Sequence, residues 1–157
     1  MQERRAGTLP ERRAYPRGGR RPYDLPGHYP PVLIADGYEA ARTPCATYLQ
    51  ALRFEVAEAA RPAEALAMIE SGWLPHVILA DPVSAAAVSR HFMSSPSPPN
   101  GLTPQLIVMT GSPEIIRPPK SELLLKPFRL KTMLKTVRVV LRRAARSGAL
   151  AHPHQFG

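Results

Sequence analysis

Four polar residues stand directly after short apolar runs of the sequence, and their types suit phosphoryl chemistry. They are Asp36, Asp81, Thr110 and Lys126. One carboxylate can attack a phosphoryl group while the second helps to hold Mg²⁺. A hydroxyl can hydrogen-bond a phosphoryl oxygen, and an ammonium group can neutralise the charge on that oxygen. Together they indicate a site for a phosphate-bearing group, provided that the fold brings them to one place.

The apolar runs that precede these residues predict parallel β-strands. The runs cover 32–35, 77–80, 106–109 and 123–125, and a weaker one covers 54–57. Because they are continuously apolar, they suit strands that helices cover on both faces. The segments between them predict helices over 39–52, 62–70 and 85–93, and a final amphipathic helix follows the last strand. This is the pattern of a small doubly wound α/β domain, in which the carboxyl ends of the strands share one edge.

Charge and proline are unevenly distributed along the 157-residue chain, which has a formal net charge of +9. Residues 1–30 are rich in Arg and Pro and poor in aliphatic residues, so we expect a disordered basic tail there. We expect one folded domain over 31–147 and a short disordered tail over 148–157. The single cysteine excludes an internal disulfide, and no apolar run is long enough to span a membrane. These features predict a cytoplasmic protein without a membrane partner.

The chain resembles the receiver domain of two-component response regulators over roughly residues 31–146. The matching motifs are VLIAD at 32–36, PHVILAD at 75–81, IVMTG at 107–111 and LKPF at 125–128. The resemblance implies a flavodoxin-like, five-stranded parallel sheet in the order 2-1-3-4-5. It also implies a bacterial, non-enzymatic phosphorelay protein. Such a protein takes its phosphoryl group from a histidine kinase or a phosphotransfer protein and signals through a further protein partner.

The same resemblance assigns roles to the residues at the strand ends. Asp81 would be the phosphoacceptor, Thr110 the switch hydroxyl and Lys126 the lysine that completes the site. Mg²⁺ would be held by Asp36, Asp81 and the backbone carbonyl of Val83. These assignments stay expectations that depend on the fold.

The sequence also departs from the usual receiver pattern. Gly37 stands where the family has a second acid, so we expect Mg²⁺ to bind weakly. The interval from Thr110 to Lys126 is shorter than usual and contains three prolines, which predicts that the fourth helix of the family is short or absent. Leu123 stands where the family has an aromatic switch residue. By the family pattern, the peptide bond before Pro127 is cis.

The site residues also have purely structural interpretations. Asp36 and Glu39 have the spacing of a capping box, and Asp81 followed by Pro82 suits a helix N-cap. We therefore keep two hypotheses: phosphorelay signalling through Asp81, and a phosphorylation-independent pseudo-receiver that acts as a protein-interaction module. Nucleic-acid binding by the basic residues is a third. The chain has no nucleic-acid motif, and it has no interleaved aromatic platform among its basic residues beyond Tyr15, Tyr23 and Tyr29. We therefore do not expect nucleic acid as a partner.

Overall fold

The computed structural model describes residues 30–94 and 103–147, which form one parallel sheet with helices on both faces. The strands are β1 (Pro31–Ala35), β2 (Glu55–Ala59), β3 (Val77–Ala80), β4 (Gln105–Thr110) and β5 (Glu122–Leu125). Their order in the sheet is β2-β1-β3-β4-β5, which confirms the predicted topology. The helices are α1 (Glu39–Ala51), α2 (Pro62–Glu70), α3 (Pro82–Ser94) and α4 (Leu130–Ser147). Both predicted tails lie outside the described residues, apart from Pro30.

The central strands are buried on both faces, which explains why their sequences are continuously apolar. One face of the sheet packs against α1 and α4, and the core there includes Val32, Ile34, Leu79 and Met109. The other face packs against α2 and α3 and includes Leu33, Ile78 and Val108. Successive side chains of a strand point to opposite faces, so each strand contributes to both cores.

The final helix is amphipathic, as its sequence predicts. Met133, Val137 and Leu141 are buried against the sheet, while Lys131 and Lys135 are exposed. Burying each such apolar side chain contributes on the order of 1.5–3 kcal/mol. The apolar stripe therefore fixes α4 against the core and leaves its basic side in solvent.

Two features differ from a simple alternation of strands and helices. α3 begins at Pro82 rather than at residue 85, because Pro is favourable at the first helical position and Asp81 caps the helix. Residues 111–121, between β4 and β5, form turns and contain no helix. This confirms the prediction that the fourth helix of a usual receiver is short or absent, and prolines at 113, 118 and 119 explain it.

No helix in the described part of the chain is both long enough and apolar enough to cross a lipid bilayer.

Candidate functional site

Asp36 and Asp81 leave two neighbouring strands at the same edge of the sheet. Ala35 at the end of β1 pairs with Ala80 at the end of β3. The Asp81 N–H donates to the Ala35 carbonyl at 2.9 Å, and the Asp36 N–H donates to the Ala59 carbonyl at 3.0 Å. Backbone hydrogen bonds of the sheet thus fix the backbone positions of both aspartates.

Lys126 neutralises the buried Asp36. Asp36 is 2% exposed, and its Oδ2 accepts a hydrogen bond from the Lys126 Nζ at 2.7 Å. A buried carboxylate needs such a partner, because desolvation of an unpaired charge costs several kcal/mol. The Asp36 Oδ1 accepts the Tyr38 N–H at 2.8 Å. The Lys126–Pro127 peptide is cis, as the resemblance implies.

Asp36 does not form the predicted capping box with Glu39. α1 begins at Glu39 with Tyr38 at its N-cap position, and no side chain caps the helix. Asp36 lies two residues before that position, and its bond to the Tyr38 N–H closes an Asx turn instead. The capping interpretation of Asp36 is therefore wrong.

Asp81 caps α3 and holds the loop after β1. Its Oδ1 accepts the Ser84 N–H at 2.8 Å, which is the bond of an N-cap residue to the third helical position. Its Oδ2 accepts the Gly37 N–H at 3.1 Å. A negative charge at the N-terminus of α3 is also favoured by the helix dipole. Both carboxylate oxygens of Asp81 thus accept hydrogen bonds from backbone N–H groups. The bond to Ser84 confirms the prediction that Asp81 is the N-cap residue of a helix.

Thr110 closes the site on the β4 side. It is the last residue of β4 and is 6% exposed. Its Oγ1 accepts the Ser112 N–H at 3.1 Å, and its carbonyl accepts the Lys126 N–H at 2.8 Å. The structure therefore places Thr110 beside the Lys126 backbone, while the Lys126 ammonium group binds Asp36.

A second cation, Arg42 of α1, adjoins the same edge, and the sequence analysis missed it. One of its terminal nitrogens donates to the Asp36 carbonyl at 2.7 Å, and its Nε pairs with the Glu58 Oε1 at 3.0 Å. Arg42 thereby ties α1 to the ends of β1 and β2. Asp36 directly follows β1 and Glu58 lies on β2, and these two partners of Arg42 come together only because β1 and β2 are neighbours in the sheet. No local sequence pattern could therefore have predicted that Arg42 contacts both.

The residues at the site do not fit a bound Mg²⁺ in this conformation. Among the described residues, no group of three or more His, Cys, Asp or Glu side chains comes together. The Lys126 ammonium is bonded to Asp36 and would repel a second cation, and the oxygens of Asp81 are bonded to backbone N–H groups. One or two carboxylates with water molecules can hold Mg²⁺, but here each carboxylate oxygen of Asp36 and Asp81 already accepts a hydrogen bond from the protein.

Val83 is also poorly placed to supply a carbonyl ligand. It lies in the first turn of α3, and its side chain is 69% exposed. Helical carbonyls are directed along the axis toward the C-terminus, so that of Val83 faces away from Asp81. The expected metal role of Val83 would require the first turn of α3 to open.

Gly37 is not required at its position by backbone geometry or by lack of space. A Cβ added there would lie 3.4 Å from the Ala60 carbonyl oxygen and 4.0 Å from the Asp81 Oδ2, which are ordinary contact distances. A Cβ at position 37 is therefore accommodated, and it lies near the Asp81 carboxylate. The missing second acid is a chemical difference of this chain, not a steric necessity.

A cavity of about 530 Å³ adjoins the site between α1 and the loop that follows β5. Its lining is largely apolar and includes Pro44, Cys45 and Phe128, with Lys126 at one side. Burial raises the pKa of the Cys45 thiol to about 11, and the nearby charge of Asp36 adds to this effect. Cys45 therefore stays protonated near neutral pH and serves as a packing residue.

Comparison with solved structures identifies the fold. The Vibrio cholerae chemotaxis response regulator CheY4 matches with 25% identity and a TM-score of 0.58, covering 71% of this chain and 98% of that one. The signal receiver domain of an HD domain-containing protein from Pseudomonas fluorescens Pf-5 matches with 18% identity and a TM-score of 0.62, covering 75% and 90%. The receiver domain of the hybrid histidine kinase CckA matches with 22% identity and a TM-score of 0.53, covering 69% and 96%.

No protein-family model matches the sequence, and no curated protein matches it significantly. The assignment of the fold thus rests on the structural comparison and on the strand order. The sheet order and the cis peptide after Lys126 agree with it. The described part of the chain therefore has the fold of the CheY-like receiver domains.

Proposed function

We propose that this chain is a receiver-type signalling module that acts through protein–protein contacts and does not depend on Mg²⁺-assisted phosphotransfer to Asp81. The observation that carries the proposal is the bonding of Asp81. One carboxylate oxygen caps α3 through the Ser84 N–H, and the other holds the Gly37 N–H. The side chain that would accept the phosphoryl group is thus part of the scaffold.

The charges around the site support this proposal. The usual purpose of Mg²⁺ between carboxylates is to neutralise them. Here Lys126 neutralises Asp36, and the N-terminus of α3 stabilises the charge of Asp81. With Gly37 in place of a further acid, the two carboxylates and Lys126 leave less negative charge at the site to attract a divalent cation than three carboxylates would.

The proposed output is a non-enzymatic interaction with another protein of two-component signalling in the cytoplasm. A histidine kinase or a phosphotransfer protein is the expected class of partner, because neighbours in structure include the receiver domain of a hybrid histidine kinase. The absence of a helix over 111–121 changes one flank of the domain relative to a usual receiver. We therefore expect the partner to be specific to this chain.

A second candidate function, phosphoacceptance by Asp81, is favoured by the retention of Asp81, Thr110 and Lys126 at one edge. In that reaction a carboxylate oxygen of Asp81 attacks the phosphorus, and the bond from phosphorus to the leaving atom of the donor breaks. The leaving atom is an imidazole nitrogen of a phosphohistidine or a carboxylate oxygen of acetyl phosphate. It keeps the electron pair, and the product on Asp81 is an acyl phosphate. The Lys126 ammonium and the Thr110 hydroxyl would stabilise the phosphoryl oxygens. The reaction requires Asp81 to release at least one of its backbone N–H partners.

Treatment with acetyl phosphate and Mg²⁺, followed by intact mass spectrometry, separates the two functions. We expect no added phosphoryl mass on the wild-type chain, and the same result for Asp81→Asn as the matched control. A phosphoryl adduct that forms on the wild type and is missing from Asp81→Asn would overturn the proposed function in favour of phosphoacceptance.

A further inference from the structure

Four basic residues of α4 lie in one row along the helix. Lys131, Lys135, Arg138 and Arg142 follow the spacing of four, three and four residues that places side chains on the same side. At a rise of 1.5 Å per residue, the row is about 16 Å long. The helix Leu130–Ser147 contains no acidic residue. We call these four residues the basic row.

Three of the four charges of the basic row have no ion-pair partner among the described residues. Lys131, Lys135 and Arg142 are exposed and form no ion pair with any described residue. The ion pair that α4 does form in the described chain joins Arg143 to Glu122, at 3.2 Å. Like charges four residues apart repel each other on a helix. The row is therefore a surface whose repulsion an external anion would relieve.

The basic row borders a groove with an aromatic floor. A cavity of about 260 Å³ lies between α1 and α4, lined by the basic row together with Tyr48 and Leu134. Tyr48 is half-buried and packs against the core, so its ring is held in place. The sequence of α4 contains no aromatic residue among its basic residues, and the fold brings Tyr48 of α1 beside them.

We propose that this groove binds single-stranded nucleic acid, with phosphates on the basic row and one unpaired base on Tyr48. Cationic grooves with an aromatic platform bind single strands because phosphates pair with the cations and bases stack on the ring. The row is linear, which suits a linear polyanion, and an aromatic floor favours bases that are free to stack. The expectation that nucleic acid is not a partner rested on a missing motif and on a missing aromatic platform, and Tyr48 supplies an aromatic ring beside the basic row. The proposal is independent of the chemistry at Asp81.

The test measures binding of the full chain to a dye-labelled, mixed-sequence single-stranded oligonucleotide by fluorescence anisotropy, over a series of salt concentrations. Phosphate contacts by Lys131, Lys135 and Arg142 contribute about −2.1 to the slope of the logarithm of the affinity against the logarithm of salt. Lys131→Gln with Lys135→Gln removes two contacts and should reduce the magnitude of the slope by about 1.4. Arg90→Gln with Arg117→Gln is the matched control, because both arginines are exposed and lie outside the groove.

The aromatic floor is tested separately by Tyr48→Leu, which keeps an apolar side chain against the core. We expect at least about fivefold weaker binding of the single strand, with an unchanged salt slope. Thermal unfolding of each variant checks that it folds.

Three results would overturn the proposal. The first is an equal effect of the two double variants, which would show that binding follows net charge alone. The second is tighter binding of a duplex than of a single strand. The third is displacement of the oligonucleotide by poly-glutamate at equal charge concentration, which would assign the groove to an acidic protein surface.

Discussion

At the residue scale, Asp36 and Asp81 are stabilised by different partners. Lys126 binds the buried Asp36 at 2.7 Å, whereas backbone N–H groups at the start of α3 and after β1 hold Asp81. A carboxylate that caps a helix stabilises the fold in its ionised state. The contribution of Asp81 to stability is therefore measurable without any phosphoryl donor.

Replacing Asp81 by Ala removes the cap of α3, and we expect it to lower the free energy of unfolding by about 0.5–2 kcal/mol. Asp81→Asn keeps a capping oxygen and should remain close to the wild type, because Asn is an equally good N-cap residue. Urea unfolding followed by the fluorescence of the single tryptophan, Trp73, measures both. A wild-type stability for Asp81→Ala would contradict the capping role.

His76 predicts a pH dependence of stability. Burial lowers the pKa of His76 below its usual value of 6.5, while the nearby charge of Glu55 acts in the opposite direction. Below pH 6.5 the unfolded chain thus binds a proton that the folded chain resists. The free energy of unfolding should fall as the pH drops from 6.5 toward the lowered pKa, by at most about 1.4 kcal/mol per pH unit.

The measurement compares wild type and His76→Gln by urea unfolding at pH 7.5 and pH 5.5. Above the usual pKa both proteins carry an uncharged side chain at 76, so the difference develops only at the lower pH. We expect a smaller loss of stability in His76→Gln. An identical loss in both proteins would show that other groups cause the pH dependence.

The sequence predicted the site residues unequally, for physical reasons. Asp36, Asp81 and Lys126 each end an apolar run, and parallel strands must bring such positions to one edge. The Arg42 contact with the Asp36 carbonyl could not be predicted, because it depends on how α1 crosses the sheet. The expected metal role of Val83 assumed that this residue lies in a loop after β3. In the structure Val83 lies in the first turn of α3.

At the scale of elements, the helices decide how the receiver fold departs from its usual form. α3 begins immediately after β3, since Asp81 and Pro82 supply the cap and the first helical position. The turns over 111–121 replace a helix, since prolines interrupt that interval. The missing helix over 111–121 could be predicted because Pro acts locally. The start of α3 at Pro82 could not be predicted from hydrophobic spacing, which placed it at residue 85.

α4 should be essential to the core although its outer side is highly charged. Met133 is fully buried against the sheet, so Met133→Ala should cost about 2–5 kcal/mol of unfolding free energy. Thr132→Ala is the matched control on the exposed side of the same helix, and it should change the stability by less than about 0.5 kcal/mol. Denaturant unfolding checks both, and equal effects would contradict the packing of α4.

At the scale of the whole molecule, the net charge of +9 separates into regions with different roles. Eight of the twelve acidic residues lie between 32 and 116, and ten of the twenty-one Lys and Arg residues lie over 117–146. Six of those ten are on α4, and five of the six are exposed. The receiver architecture thus carries a site whose carboxylates are held by Lys126 and backbone N–H groups, and a separate basic surface.

Titration of the wild-type chain and of Gly37→Asp with Mg²⁺, followed by isothermal calorimetry, tests the central claim most directly. The Cβ of residue 37 is accommodated near Asp81, and the Asp side chain adds the missing oxygen ligand. Gly37→Ala is the control for the added Cβ alone. We predict saturable Mg²⁺ binding for Gly37→Asp and none for the wild type or Gly37→Ala. Saturable Mg²⁺ binding by the wild type would contradict a site whose carboxylates are already held by Lys126 and backbone N–H groups.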